Sequence, residues 1–125
     1  MSTKRIVVTG IGASSPLGGT APESWSALLD GVSGAHTLEY DWVSQYELPV
    51  TFAAEAKVRP DTVLERPVAK RLDPASQFAM VAAMEAWADA GSPELDPTRL
   101  ATVVASGIGG VWTLLDAQAL ATVRA

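Results

Sequence analysis

Cysteine is absent from all 125 residues, and histidine occurs once. Without cysteine the chain has no disulfide, no thiolate metal ligand and no cysteine nucleophile. The lone His36 has ligand or general-base chemistry open to it, but no second histidine and no clustered acids accompany it. It is read as an ordinary loop histidine, and neither a metal nor a cofactor is expected. Positive charge is scarce too, since nine Lys and Arg against 14 Asp and Glu leave a net charge of −5. Phosphate binding needs a surplus of cations on one face, so a large nucleic-acid footprint is excluded. No apolar run approaches the roughly 20 residues of a membrane span. The opening MSTKR lacks the apolar core and cleavage site of a signal peptide. The expectation is a soluble, cytoplasmic protein with no membrane partner.

What is present is apolar surface and glycine. Nearly half of the chain, 48%, is hydrophobic, enough to bury a core, and its length suits one domain. The organising stretch is Arg5 to Gly19, RIVVTGIGASSPLGG. Ile6, Val7 and Val8 are consecutive and β-branched, which suits a strand buried on both faces of a parallel sheet. Gly10, Gly12, Pro16, Gly18 and Gly19 then force a tight turn, where Ser14 and Ser15 can bond neighbouring amides. The device recurs where Thr102 to Ser106 runs into Gly107, Ile108, Gly109 and Gly110. Two such strands with a long helix between them predict one βαβ unit.

Between the strands, Thr20 and Glu23 are spaced as a capping box, and Pro22 suits a first turn. A short helix to about Asp30 should present Trp25, Leu28 and Leu29 on one face, with Gly31 as a left-handed cap. From Val32 to Arg66 the pattern weakens to an irregular insertion, with a short strand or hairpin around Pro49 to Lys57; Tyr40, Trp42 and Tyr46 read as its packing. Asp73 is a good N-cap, Pro74 fits the first helical position, and Ala75 to Ala90 runs unbroken to Gly91. So little polar surface on this helix predicts burial on most sides, and its many alanines permit close approach of a sheet or another helix. A third helix from Trp112 to Arg124 reaches the last residue without a stop signal, which predicts a chain cut rather than finished.

Several motifs fail on their spacing. Gly10-x-Gly12 follows a strand as a dinucleotide fingerprint requires, but the third glycine position holds Ser15 and no helix opens from the turn. No glycine precedes a lysine, so there is no P-loop. Gly12 to Pro16, GASSP, lacks the closing glycine of a nucleophile elbow. By residue chemistry alone the chain is a soluble α/β domain whose glycine turns are tight strand exits.

Four segments in order, IVVTGIGASSPLG, WSALLDGVSG, RLDPASQFAMVAAMEAWADAG and ATVVASGIGG, resemble the N-terminal part of an elongating, type II β-ketoacyl-acyl-carrier-protein synthase. The resemblance implies an α/β architecture, the incomplete N-terminal half of a thiolase-like fold: a mixed sheet with helices on its faces, in which the two strands here are neighbours. It implies fatty-acid or related polyketide elongation by decarboxylative condensation of an acyl-enzyme with malonyl-acyl carrier protein, and a homodimeric parent. The family's cysteine nucleophile and two catalytic histidines have no counterpart in residues 1–125, and His36 does not replace them. The chain is therefore expected to be an inactive piece of a condensing enzyme. A non-catalytic remnant that binds acyl carrier protein or a synthase subunit is the alternative, and a small nucleotide-binding module a third.

Two sets of site residues follow. Ile108, between glycines, reads by itself as a core residue beside a tight turn; the resemblance places it against the acyl channel. Arg66, Lys70 and Arg71 bring three cations ahead of the Asp73 cap. A basic run is usually only a solvated face. Yet cations beside a helix N-terminus meet the positive end of its dipole, at roughly 0.3–1 kcal/mol each when exposed. The resemblance assigns these three to docking of the acidic acyl carrier protein.

Overall fold

Turns and helix caps, rather than strand pairing, order most of this chain. The computed structural model describes residues 4–123. They divide into two units, one of residues 13–59 and one of the residues up to Gly12 together with those from Pro60 onward.

The first of these units is built on its serine turn. The Ser15 hydroxyl accepts from the amides of Leu17 and Gly18 at 3.1 and 3.2 Å and lies 2.7 Å from the Ser24 hydroxyl, which donates to the Thr20 carbonyl. The turn thereby fixes the entry to helix α1, Ala21–Leu29. The Thr20 hydroxyl caps the Glu23 amide at 3.3 Å, while the Glu23 carboxylate reaches the Gly19 amide at 2.9 Å, one residue before the cap. The helix ends at Gly31, φ +69°, with Gly31 donating to Leu28 and Val32 to Ala27. This is the paired-bond Schellman ending that glycine permits. The apolar face carrying Trp25, Leu28 and Leu29 forms as the spacing predicts, but α1 has no buried residue.

The remainder of that unit is less irregular than its composition suggests. Strand β1, His36–Thr37, pairs antiparallel with β2, Phe52–Ala53, and the five-residue helix α2, Asp41–Gln45, lies between them in sequence. The hairpin expectation holds, but its first strand starts at His36, so the loop assignment of that residue is corrected. Tyr40 and Trp42 stack with ring centroids 5.3 Å apart, which is the packing role expected of them. Val43 is the buried apolar side chain.

In the other unit, helix α3 spans Arg66–Ala69, α4 Pro74–Asp89 and α5 Val111–Val123, with 3-10 turns at Pro60–Thr62 and Pro97–Arg99. α4 begins and ends where its caps predict, with Gly91 at φ +79° and a second Schellman pair from Gly91 to Ala88 and Ser92 to Trp87. Its burial differs. No residue of α4 is buried, and Met80, Met84 and Trp87 are exposed. What covers it is backbone. A Cβ on Gly10 would collide with the Ala86 carbonyl oxygen, and one on Gly12 with that of Ala82. The Ile11 amide donates to the Asp89 carboxylate at 2.9 Å. Residues 10–12 therefore lie along the Ala82, Ala86 and Ala90 ridge at a distance only glycine allows. The Gly-x-Gly pair is a packing device, which replaces the tight-exit reading. The end of the third helix at Arg124, and with it the missing stop signal, lies outside the described residues.

The βαβ unit is not formed. Ile6 to Val8 and Thr102 to Ala105 hold no strand, and among the described residues the only ladder is β1 with β2. Ile6 is 97% exposed and Val103 91%. A strand is a paired state, and a β-branched run without a ladder partner gains neither its hydrogen bonds nor the cover of its faces. Val43 and Leu64 are the only large apolar side chains that are buried among the described residues. The accessible surface is 10563 Å², whereas a folded monomer of about 13 kDa exposes roughly 6,300 Å². Residues 1–125 expressed alone should therefore melt broadly and give poorly dispersed amide resonances. A sharp cooperative melt with dispersed resonances would contradict this.

Candidate functional site

One carboxylate joins the starts of two helices. Asp73 is the N-cap of α4, where its Oδ1 accepts from the Ala75 amide at 3.0 Å. Its Oδ2 accepts from the amide and the hydroxyl of Thr113, at 3.1 and 3.0 Å. Thr113 is the third residue of α5, so one side chain satisfies amides in the first turns of two helices 40 positions apart. Hydrogen bonding holds the Asp73 carboxyl below the usual carboxylate range: the Ala75 amide contributes most, desolvation opposes it, and the amide and then the hydroxyl of Thr113 add smaller contributions.

The loop entering α5 carries Ile108. Gly109 adopts φ +74°, where a side chain would be strained, and its amide donates to the Ser106 hydroxyl at 2.9 Å. A Cβ on Gly110 would stand 3.3 Å from the Asp73 carboxylate. Ile108 itself is 82% exposed, so the core reading is corrected: a tight turn with glycine on both sides lifts the side chain off the protein.

The three cations lie around α3. Arg66 is its first residue, Lys70 its C-cap and Arg71 the residue after; all three are exposed and none has an ion-pair partner among the described residues. Helix α3 intervenes ahead of α4, so Lys70 stands at the negative end of α3 and not only ahead of the positive end of α4. Arg66 meets the positive end of the same short helix and sits four residues from Lys70, where like charges repel. Local helix energetics therefore favour Lys70 alone and do not account for the trio.

A separate polar cluster lies in the unit of residues 13–59. Glu55 accepts from the Tyr40 hydroxyl at 2.8 Å and lies 3.0 Å from His36 Nε2. The Tyr40 hydroxyl and then His36 lower the Glu55 pKa, and Glu55 raises that of Tyr40. The histidine thus has a structural partner. Among the described residues no three of His, Cys, Asp and Glu are grouped to hold a metal, and no helix is long and apolar enough to cross a membrane.

The family described as beta-ketoacyl synthase, N-terminal domain, matches residues 3–124. The chain belongs to the β-ketoacyl synthase family. Membership carries the thiolase-like α/β fold class with it. Over 98% of its length this ketoacyl synthase chain is 36% identical to 3-oxoacyl-[acyl-carrier-protein] synthase 2 of Coxiella burnetii, and over 88% it is 33% identical to the protein of that name in Mycobacterium tuberculosis. It spans 30% and 26% of those two proteins. The resemblance drawn from the four sequence segments is borne out.

Sequence reasoning marked Asp73 as a cap of α4 but not its second role, since a contact across 40 residues has no local signature. A pH dependence follows from that role. Because the folded-state pKa is depressed, the stabilisation by Asp73 is fully present above the ordinary value of about 3.9 and is lost as pH falls through the folded value. In a full-length synthase that carries residues 1–125, the Asp73 carboxyl carbon, followed by NMR, should titrate below that ordinary value, and Thr113→Val should move the midpoint back up. An unchanged midpoint in the variant would contradict the second cap.

Proposed function

We propose that this chain is the N-terminal part of a fatty-acid-elongating β-ketoacyl-acyl-carrier-protein synthase, an acyltransferase. In that reaction malonyl-acyl carrier protein loses carbon dioxide, and its carbanion attacks the acyl thioester on the enzyme. A carbon–carbon bond forms and the enzyme thiolate leaves. The identity of 36% across nearly the whole chain to a protein named 3-oxoacyl-[acyl-carrier-protein] synthase 2 carries this reading. Residues 1–125 hold no cysteine and one histidine. The thiolate and the two histidines of the chemistry therefore belong to the rest of the parent, and this chain alone is inactive. Its share of the work is scaffold, carrier docking and one wall of the acyl site. The finer architecture is a mixed sheet with helices on its faces, in which the segments at Ile6–Val8 and Thr102–Ala105 become neighbouring strands of a homodimeric, cytoplasmic enzyme.

A hybrid tests the reading. With residues 1–125 in place of the matching stretch of the Coxiella synthase, a folded dimer should form 3-oxoacyl product from acyl- and malonyl-acyl carrier protein. A folded but inactive hybrid, beside an active unsubstituted Coxiella enzyme, would overturn it.

Arg66, Lys70 and Arg71 dock the acidic carrier. Their exposure and their lack of ion-pair partners among the described residues support the role, which acts on encounter rate and salt sensitivity more than on chemistry. Reversing the charge at Lys70 and Arg71 in the hybrid should raise KM for the carrier-linked substrate several-fold and spare a small carrier-free thioester. Equal effects on both substrates, or on neither, would remove the docking role.

Ile108 lines the acyl site. Its placement on an exposed loop leaves the side chain free to border a ligand. Ile108→Phe adds bulk to an apolar slot and should shorten the acyl chains accepted by the hybrid. An unchanged chain-length profile in a folded variant would sink the assignment.

A further inference from the structure

We infer that Asp73 is a positioning residue for acyl-chain selection, fixing the Ser106–Gly110 loop and the Ile108 it presents through the start of α5. This rests on the assignment of Ile108 to the acyl site. The side chain of Ile108 is 82% exposed and has no packing to hold it, so its place is set by the loop backbone. That backbone is fastened at two points. The Ser106 hydroxyl closes the turn on the Gly109 amide at 2.9 Å, and the Asp73 Oδ2 holds α5 through the amide and hydroxyl of Thr113. Gly110 lies so near that a Cβ there would come within 3.3 Å of the carboxylate. The other oxygen, Oδ1, is committed to the Ala75 amide of α4. The carboxylate is thus a rigid bridge of fixed length between α4 and the loop. An amide could serve only one of the two helices through its carbonyl oxygen, since its NH2 group cannot accept from the other.

Two variants separate this role from simple capping of α4. Asp73→Ser keeps a hydroxyl able to cap the Ala75 amide but too short to reach Thr113, whereas Thr113→Val removes one donor to the bridge and leaves the α4 cap untouched. In the hybrid synthase, both should change the ratio of kcat/KM for long over short acyl chains in the same direction. A change of roughly fivefold is expected, the equivalent of one hydrogen bond, and the double variant should add little to the larger single effect. Hydrogen exchange in residues 106–115 should accelerate in both.

A purely structural cap would lower the Tm of Asp73→Ser and leave the ratio, and every property of Thr113→Val, unmoved; that result overturns the inference. Faster exchange with an unchanged ratio overturns it as well, because the loop would then move without affecting selection. If the unsubstituted hybrid fails to condense, the assignment of function fails separately. Exchange then decides the anchoring: acceleration in both variants supports it, and no acceleration in either overturns it.

Discussion

The unmet hydrogen-bonding capacity of a helix start is the constraint on which the unit from Pro60 onward depends. Four amides at each such end lack an intrahelical partner, and here two ends are brought together on one acceptor group. Asp73 can serve both because a carboxylate offers two oxygens and accepts at each. α4 and α5 are consequently not placed by apolar packing, of which the described residues have little. They are placed by a polar contact whose geometry is exacting, with Gly110 keeping the second helix close enough to use it.

A second close approach complements the first. Residues 10–12 lie on the Ala82, Ala86 and Ala90 ridge because Gly10 and Gly12 have no side chain, and the alanines only a methyl, to intervene, and the Ile11 amide meets Asp89 there. Gly10 and Gly12 thus serve backbone-to-helix packing, and the likeness to a dinucleotide fingerprint is incidental. Small residues on both partners trade buried area for proximity. The trade explains why α4, with alanine at six of its positions, remains without a buried residue.

Local signals were legible in the sequence and long-range ones were not. The caps at Thr20, Asp73, Gly31 and Gly91 act within five residues of themselves, so spacing alone located α1 and α4. The strands at Ile6 and Thr102 could be named from their β-branched runs, but pairing depends on a partner, and none meets them among the described residues. α3 escaped notice because four residues around a proline have no periodicity to detect, and its presence changed the electrostatic account of Lys70. At the candidate site, the glycine turn and the Asp73 cap were readable. The bond from Asp73 to Thr113 was not, since it depends on how the intervening segments return the chain.

The matching ends of α1 and α4 have a further consequence. Gly31 and Gly91 both turn left-handed, both close the same pair of backbone bonds, and at neither would a Cβ meet another atom. Each helix is therefore terminated by backbone bonds from the residues immediately after it, the last of them Val32 or Ser92, and these bonds use no side chain. Segments that follow such ends can lengthen, shorten or change composition without altering where the helix stops. The stretches after Val32 and after Ser92 are accordingly the places where an insertion, a tag or a reporter would least disturb the ends of the two helices.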